Sequence, residues 1–157
     1  MNDKNIRQII ADSSFFAGLS AESVDFLAAH ATQRTLGQGK VLFHPGDAAE
    51  SFLLMLSGHL ALVIPALEGP ELELQDIGPD QVVGWSWLIP PHRWTMMGRA
   101  RSDMEYLEFD GKAVLERCES DPAFGFAFSL RFSALMSERL QFAGRRMMQE
   151  WRPPGFA

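Results

Sequence analysis

Three of the four tryptophans, Trp85, Trp87 and Trp94, fall within ten residues of one another, with Ser86, Arg93 and Thr95 interleaved. An indole offers a broad apolar face and one N–H donor, with neither charge nor acceptor. A flat or apolar small molecule could stack on these rings and find a polar handle in Ser86, Thr95 or Arg93. Two other uses fit the same residue types. The rings could fill an internal cavity and rigidify their surroundings, or one could anchor a protein partner at the surface. The Pro90-Pro91 pair beside them should stop any short helix near Ile89.

The other residues able to do chemistry are scattered. His30, His44, His59 and His92 show no helix-type ligand spacing, and the lone Cys118 rules out an internal disulfide or a multi-cysteine zinc site. Cys118 lies on the apolar side of its segment, a core position for a small thiol. Asp121, Glu138 and Glu150 are spaced as solvated helix positions. Arg139, Arg145, Arg146 and Arg152 would give a helix a basic far end, which suits its dipole without any nucleic acid. No nucleophile elbow, P-loop or metalloenzyme motif is present, so neither enzyme activity nor a cofactor or metal is expected.

The elements that must carry these residues read in three blocks. Asp3 can cap a helix with Ile6, Ile9 and Ile10 on one face. Ser20 can cap a second, with Glu22 in its first turn, Leu19 and Val24 as a staple, and Phe26, Leu27 and Ala31 on its apolar side. From Thr32 to Phe109, short apolar runs alternate with Gly and Pro. Strands are expected at 40–43, 52–56, 59–64, 72–77, 94–100 and 104–109. That rhythm argues for an antiparallel sandwich or roll. Asp110 then caps a short helix through Val114 and Cys118. Asp121-Pro122 opens a long one running to about Trp151. Its apolar face is broader than one sheet would cover, so a homodimer through Phe132, Leu135, Met136, Leu140, Ala143 and Met147 is expected.

Composition sets the outer limits. The 157 residues suit one domain, and 46% hydrophobic with 22% charged residues is a globular balance. The net charge of −6 argues against general nucleic-acid binding, which needs a concentrated basic face. The longest near-continuous apolar run, Leu60 to Leu67, is far short of the ~20 residues of a membrane helix. With no signal-peptide pattern at the start, a cytoplasmic location away from membranes is expected.

Four segments carry a family resemblance. They are Phe16-Ala17-Gly18-Leu19-Ser20, Gly39-Lys40-Val41-Leu42-Phe43-His44-Pro45-Gly46-Asp47, Phe52 through Ser57-Gly58-His59 to Leu62, and Ala100 through Asp110. In this order, over about residues 15–145, the chain resembles the cyclic-nucleotide-binding domain of the Crp/Fnr superfamily. The resemblance implies a mainly β fold with flanking helices. Its centre is a double-stranded β-helix (jelly roll) at 32–109, with N-terminal helices at 3–31 and C-terminal helices at 111–151, forming one domain over 1–157. The Ser57-Gly58 pair would be a hairpin turn. Because the chain stops at Ala157, the helix-turn-helix domain of the superfamily's transcription factors has no room, and direct DNA binding is not expected.

The resemblance also implies a phosphate-binding cassette, whose usual pattern is Gly-Glu, a short helix, a loop, then Arg, Ser/Thr and Ala. Arg and helix-start N–H groups hold the cyclic phosphate, and Glu holds the ribose hydroxyl. Here Gly84 matches the glycine, Trp85 stands at the Glu position, and counting back from Ala100 places Trp94 at the Arg position and Thr95 at the Ser/Thr position. Arg93 is one residue early, which on a strand turns its side chain to the other face. With a loop one residue longer, Arg93 would take the Arg position. Three outcomes stay open. They are a regulatory domain sensing an effector other than cAMP or cGMP, such as an apolar or aromatic metabolite, a ligand-free module for a protein partner, and a cyclic-nucleotide receptor using Arg93.

Overall fold

The structure, a computed structural model, describes residues 3–65 and 70–150. Helix α1 (Asp3–Asp12) buries Ile6 and Ile10 and is followed by a single 3-10 turn at Ser14–Phe16. Helix α2 (Ala21–Ala29) starts where its cap was expected, the Ser20 hydroxyl accepting from the Ser23 N–H at 3.1 Å. It ends two residues earlier than its apolar pattern suggested. Ala31, read as the last position of that helix face, opens strand β1 (Ala31–Leu36) instead.

Seven further strands complete two antiparallel sheets: β2 (Val41–Phe43), β3 (Ser51–Ser57), β4 (Leu60–Ile64), β5 (Leu72–Ile77), β6 (Val82–Val83), β7 (Met97–Ala100) and β8 (Met104–Asp110). One sheet has the order β1-β8-β3-β6 and the other β2-β7-β4-β5. Successive strands thus lie in opposite sheets except β4 and β5, which pair with each other, and the Ser57-Gly58 pair does not make the expected hairpin. It carries the chain from β3 in one sheet to β4 in the other. Gly58 is required there, with φ at +76° and a Cβ that would lie 2.2 Å from the Asp103 carbonyl oxygen.

The sheet containing β3 is covered on both sides, which explains its unbroken apolar run. Phe52 and Leu54 face the helices, with Phe16, Leu27, Leu107, Phe109 and Phe128. Leu53 and Met55 face the roll interior, with Phe43, Leu60, Leu62, Ile77 and Tyr106. Two four-stranded sheets with one apolar layer between them and another beneath the helices make this the mainly β roll with flanking α that was expected.

Helix α3 (Gly111–Ser120) is capped by Asp110, and α4 (Pro122–Glu150) begins with the Asp121 carboxylate accepting from the Phe124 N–H. Trp151 and Arg152 lie outside the described residues. Phe124, Phe128, Phe132 and Leu135 all pack into the monomer's own core. Phe132 and Leu135 are therefore removed from the expected dimer face, because the 3.6-residue period turns them toward β3 and the cassette. Arg131 ties α4 to the N-terminal segment by donating to the carbonyls of Phe15 and Ala17, at 3.1 and 2.6 Å.

Candidate functional site

The tryptophan-rich segment leaves β6 at Gly84, turns through residues 86–91, and returns along the loop after β2. Gly84 has φ at +98°, open to glycine with little strain, and any Cβ there would meet the Trp94 ring at 2.6 Å. The returning strand is shorter than expected, starting at Met97 rather than Trp94. Residues 92–95 instead run antiparallel to 46–49. The N–H groups of Gly46, Trp94 and Ala49 donate to the carbonyls of Trp94, Asp47 and His92 at 2.8–2.9 Å.

This pairing fixes which way each side chain points. Trp94 turns inward and stacks face to face on Phe43, ring centroids 3.8 Å apart and planes within 8°. Arg93, its neighbour, is exposed, and its guanidinium donates to the Gly46 carbonyl at 2.7 Å. The turn itself is pinned by His92, whose Nδ1 is 2.8 Å from the Trp87 carbonyl, and the Pro90-Pro91 peptide is cis.

The three indoles have three different surroundings. Trp87 is fully built into the core, with ring centroids 5.1 Å from both Phe52 and Phe132. Trp94 lies on Gly84 and Phe43, leaving between Trp85, Ser86, Trp94 and Thr95 a space of only about 20 Å³. That is room for about one water molecule. Trp85 is half-buried and faces α4, where it helps line a second cavity of about 190 Å³ with Leu62, Met96, Met136 and Leu140. Ser86 is buried and Thr95 exposed.

One residue of this region was not foreseen from the sequence. By sequence Arg139 belongs to the basic far end of the long helix, yet it is 7% exposed and borders both cavities. Its Nη2 donates to the Val82 carbonyl at 2.8 Å, while Nε and Nη1 meet no acceptor among the described residues. Burial pulls its pKa down to about 10, so it remains a cation at neutral pH. The only sequence signal was its spacing, seven residues after Phe132 and four after Leu135, on the inward face of α4.

The other three histidines make local contacts far from one another in the sequence. His30 Nδ1 meets the Phe26 carbonyl, His59 pairs with Asp76, and His44 sits 3.5 Å from Asp47. A larger open groove of about 430 Å³ between β2 and β8 presents Glu50, Glu108 and Asp110, a lining that repels anions. Cys118 is half-buried, and burial pushes its thiol up to about 11.

Comparison with known proteins agrees with this architecture. The family model described as "Cyclic nucleotide-binding domain" matches residues 33–121. The cyclic AMP receptor protein of Thermus thermophilus is 32% identical over 95 residues, which is 60% of this chain and 44% of the relative. The chain thus spans less than half the length of that relative. Among solved structures, the catabolite activator protein of Thermus thermophilus aligns with a TM-score of 0.68 at 27% identity, over 86% of this chain and 62% of that one. A cyclic nucleotide-binding domain from Methylobacillus flagellatus aligns with a TM-score of 0.79 at 16% identity, over 98% of this chain and 86% of that one. Among the described residues, no helix is long and apolar enough to cross a membrane.

Proposed function

Because the chain belongs to the cyclic nucleotide-binding domain family, we propose that it is a regulatory domain that keeps the family's roll but does not hold cAMP or cGMP tightly. The observation that carries this reading is the position of Trp94. Its ring occupies the space over Gly84 and against Phe43, on the inward side where the family's pattern puts the phosphate-gripping arginine. Trp85 takes the place of the ribose-binding carboxylate. Arg93 faces out, bonded to Gly46, which disfavours the reading in which it grips a phosphate. The space left in the cassette, about 20 Å³, has no room for a cyclic phosphate, and the guanidinium that the pattern sets against the phosphate is replaced by a ring. Losing a charge-assisted partner costs several kcal/mol, and each 1.4 kcal/mol is about tenfold in affinity. Isothermal titration should therefore find no binding of either nucleotide tighter than millimolar, and a low-micromolar constant overturns the proposal.

The packing of Trp87 and Trp94 also favours a second reading, in which the roll is a ligand-free platform for a protein partner. The two readings separate on a small-molecule thermal-shift panel, where the platform responds to nothing. Neither reading calls for catalysis or for direct contact with DNA.

The second part of the proposal is a homodimer through α4. Phe126, Leu130, Ser133, Ser137, Leu140, Gly144 and Met147 are all exposed and recur with alternating spacings of four and three. Phe126, Leu130, Leu140 and Met147 are 73%, 59%, 75% and 63% exposed, too much large apolar surface for a solvated helix face. A 4-3 repeat is the seam of a two-stranded coiled coil, and the small residues in the middle would let two helices approach closely. Of the residues expected at the dimer face, Leu140 and Met147 fall on this seam, while Met136 and Ala143 are half-buried beside it.

A further inference from the structure

We propose that the cavity beneath Trp85 is a binding site for a small organic carboxylate with an apolar body, its charge received by Arg139 from the long helix. The inference rests on the reading that no cyclic nucleotide occupies the cassette, and it names the class of effector that reading leaves open.

Two independent observations meet here. The first is an almost fully buried guanidinium, with Nε and Nη1 unpartnered among the described residues. Buried charges are ordinarily paired, and a carboxylate is the acceptor that complements a guanidinium best. No Asp or Glu lines either cavity that Arg139 shares with Trp85. The second is the space itself, about 190 Å³ and walled by Leu62, Trp85, Met96, Met136 and Ala143, with Gln75 as a neutral polar group. A cavity of about 150 Å³ with apolar walls accepts benzene. The volume here suits one ring with a short carboxylate arm.

The direction of recognition is therefore reversed relative to the cassette pattern. The cation comes from α4, and the cassette supplies an apolar wall through Trp85. Leu140 borders the cavity and also belongs to the exposed seam of α4, so an occupant would touch the helix surface proposed to pair.

The test uses the full chain and four probes, phenylacetate and benzoate against their uncharged amides, phenylacetamide and benzamide. Thermal shift and tryptophan fluorescence are read at millimolar concentrations. The acids should stabilise the protein and bind at least about tenfold more tightly than the amides. Arg139→Met should erase that preference and Arg139→Lys should keep part of it. Equal binding of acids and amides, no response to the acids, or acid binding by Arg139→Met at wild-type strength each overturn the proposal. The acid–amide comparison on the unaltered protein decides the matter even if a variant fails to fold. Adding cAMP to the same panel separates the two claims. Tight cAMP binding sinks the functional reading, whereas silence from the acids sinks only this site.

Discussion

Within ten residues this chain places three indoles in three different environments. Trp87 joins Phe52 and Phe132 in the core, Trp94 covers Gly84, and Trp85 lines a cavity against α4. The contact between Gly84 and Trp94 is close enough to measure. Gly84→Ala combines a positive φ with a Cβ 2.6 Å from the ring, and should destabilise the fold by roughly 2–4 kcal/mol in urea denaturation. A variant as stable as the parent would mean that Trp94 is not seated there. Cys118 gives a second check. With its thiol at about 11, only about a thousandth is thiolate at pH 8. Alkylation of the folded protein should run about a hundredfold slower than that of a free cysteine, recover on unfolding, and accelerate as pH rises toward 11. Rapid modification of the native protein at pH 8 would contradict the burial described.

Among the elements, capped helices and double-faced strands were the most readable from sequence. Ser20, Asp110 and Asp121 cap where their types and spacing place them, because a cap needs only local chain geometry. Strands β1 and β6 gave no such signal. The β1 run Thr32-Gln33-Arg34-Thr35 is polar because it lies at a sheet edge, and β6 is two residues long. The shortened β7 and the inward turn of Trp94 both follow from pairing between residues 92–95 and 46–49, a tertiary event that no local pattern announces. Arg139 stayed hidden for the same reason, since a charged residue on a helix is read as solvated until the roll covers it. The face of α4 was half legible. Its breadth was visible, but not which apolar residues the monomer uses itself. Phe132→Ala should therefore cost about 3–5 kcal/mol of stability without changing self-association. Leu140→Glu should leave the fold intact and weaken the dimer. The reverse pattern, read by denaturation and sedimentation, would put the roll-facing side of α4 on the wrong residues.

For the whole molecule, the roll, the cassette and α4 meet at the cavity under Trp85, and Leu140 of α4 both borders that cavity and belongs to the exposed seam. Sedimentation of the wild-type chain should report a dimer, and its Tm should rise with protein concentration, as it does when association stabilises the folded state. A strict monomer at high concentration would remove the dimer from the account. One comparison shows whether the two indoles are what keeps the nucleotide out. Titrate cAMP into the wild-type protein and, side by side, into the double variant Trp85→Glu with Trp94→Arg. The wild type should show no measurable binding and the variant should gain it, because its carboxylate and guanidinium restore the family's pattern. Low-micromolar cAMP binding by the unaltered chain would contradict that role for the indoles.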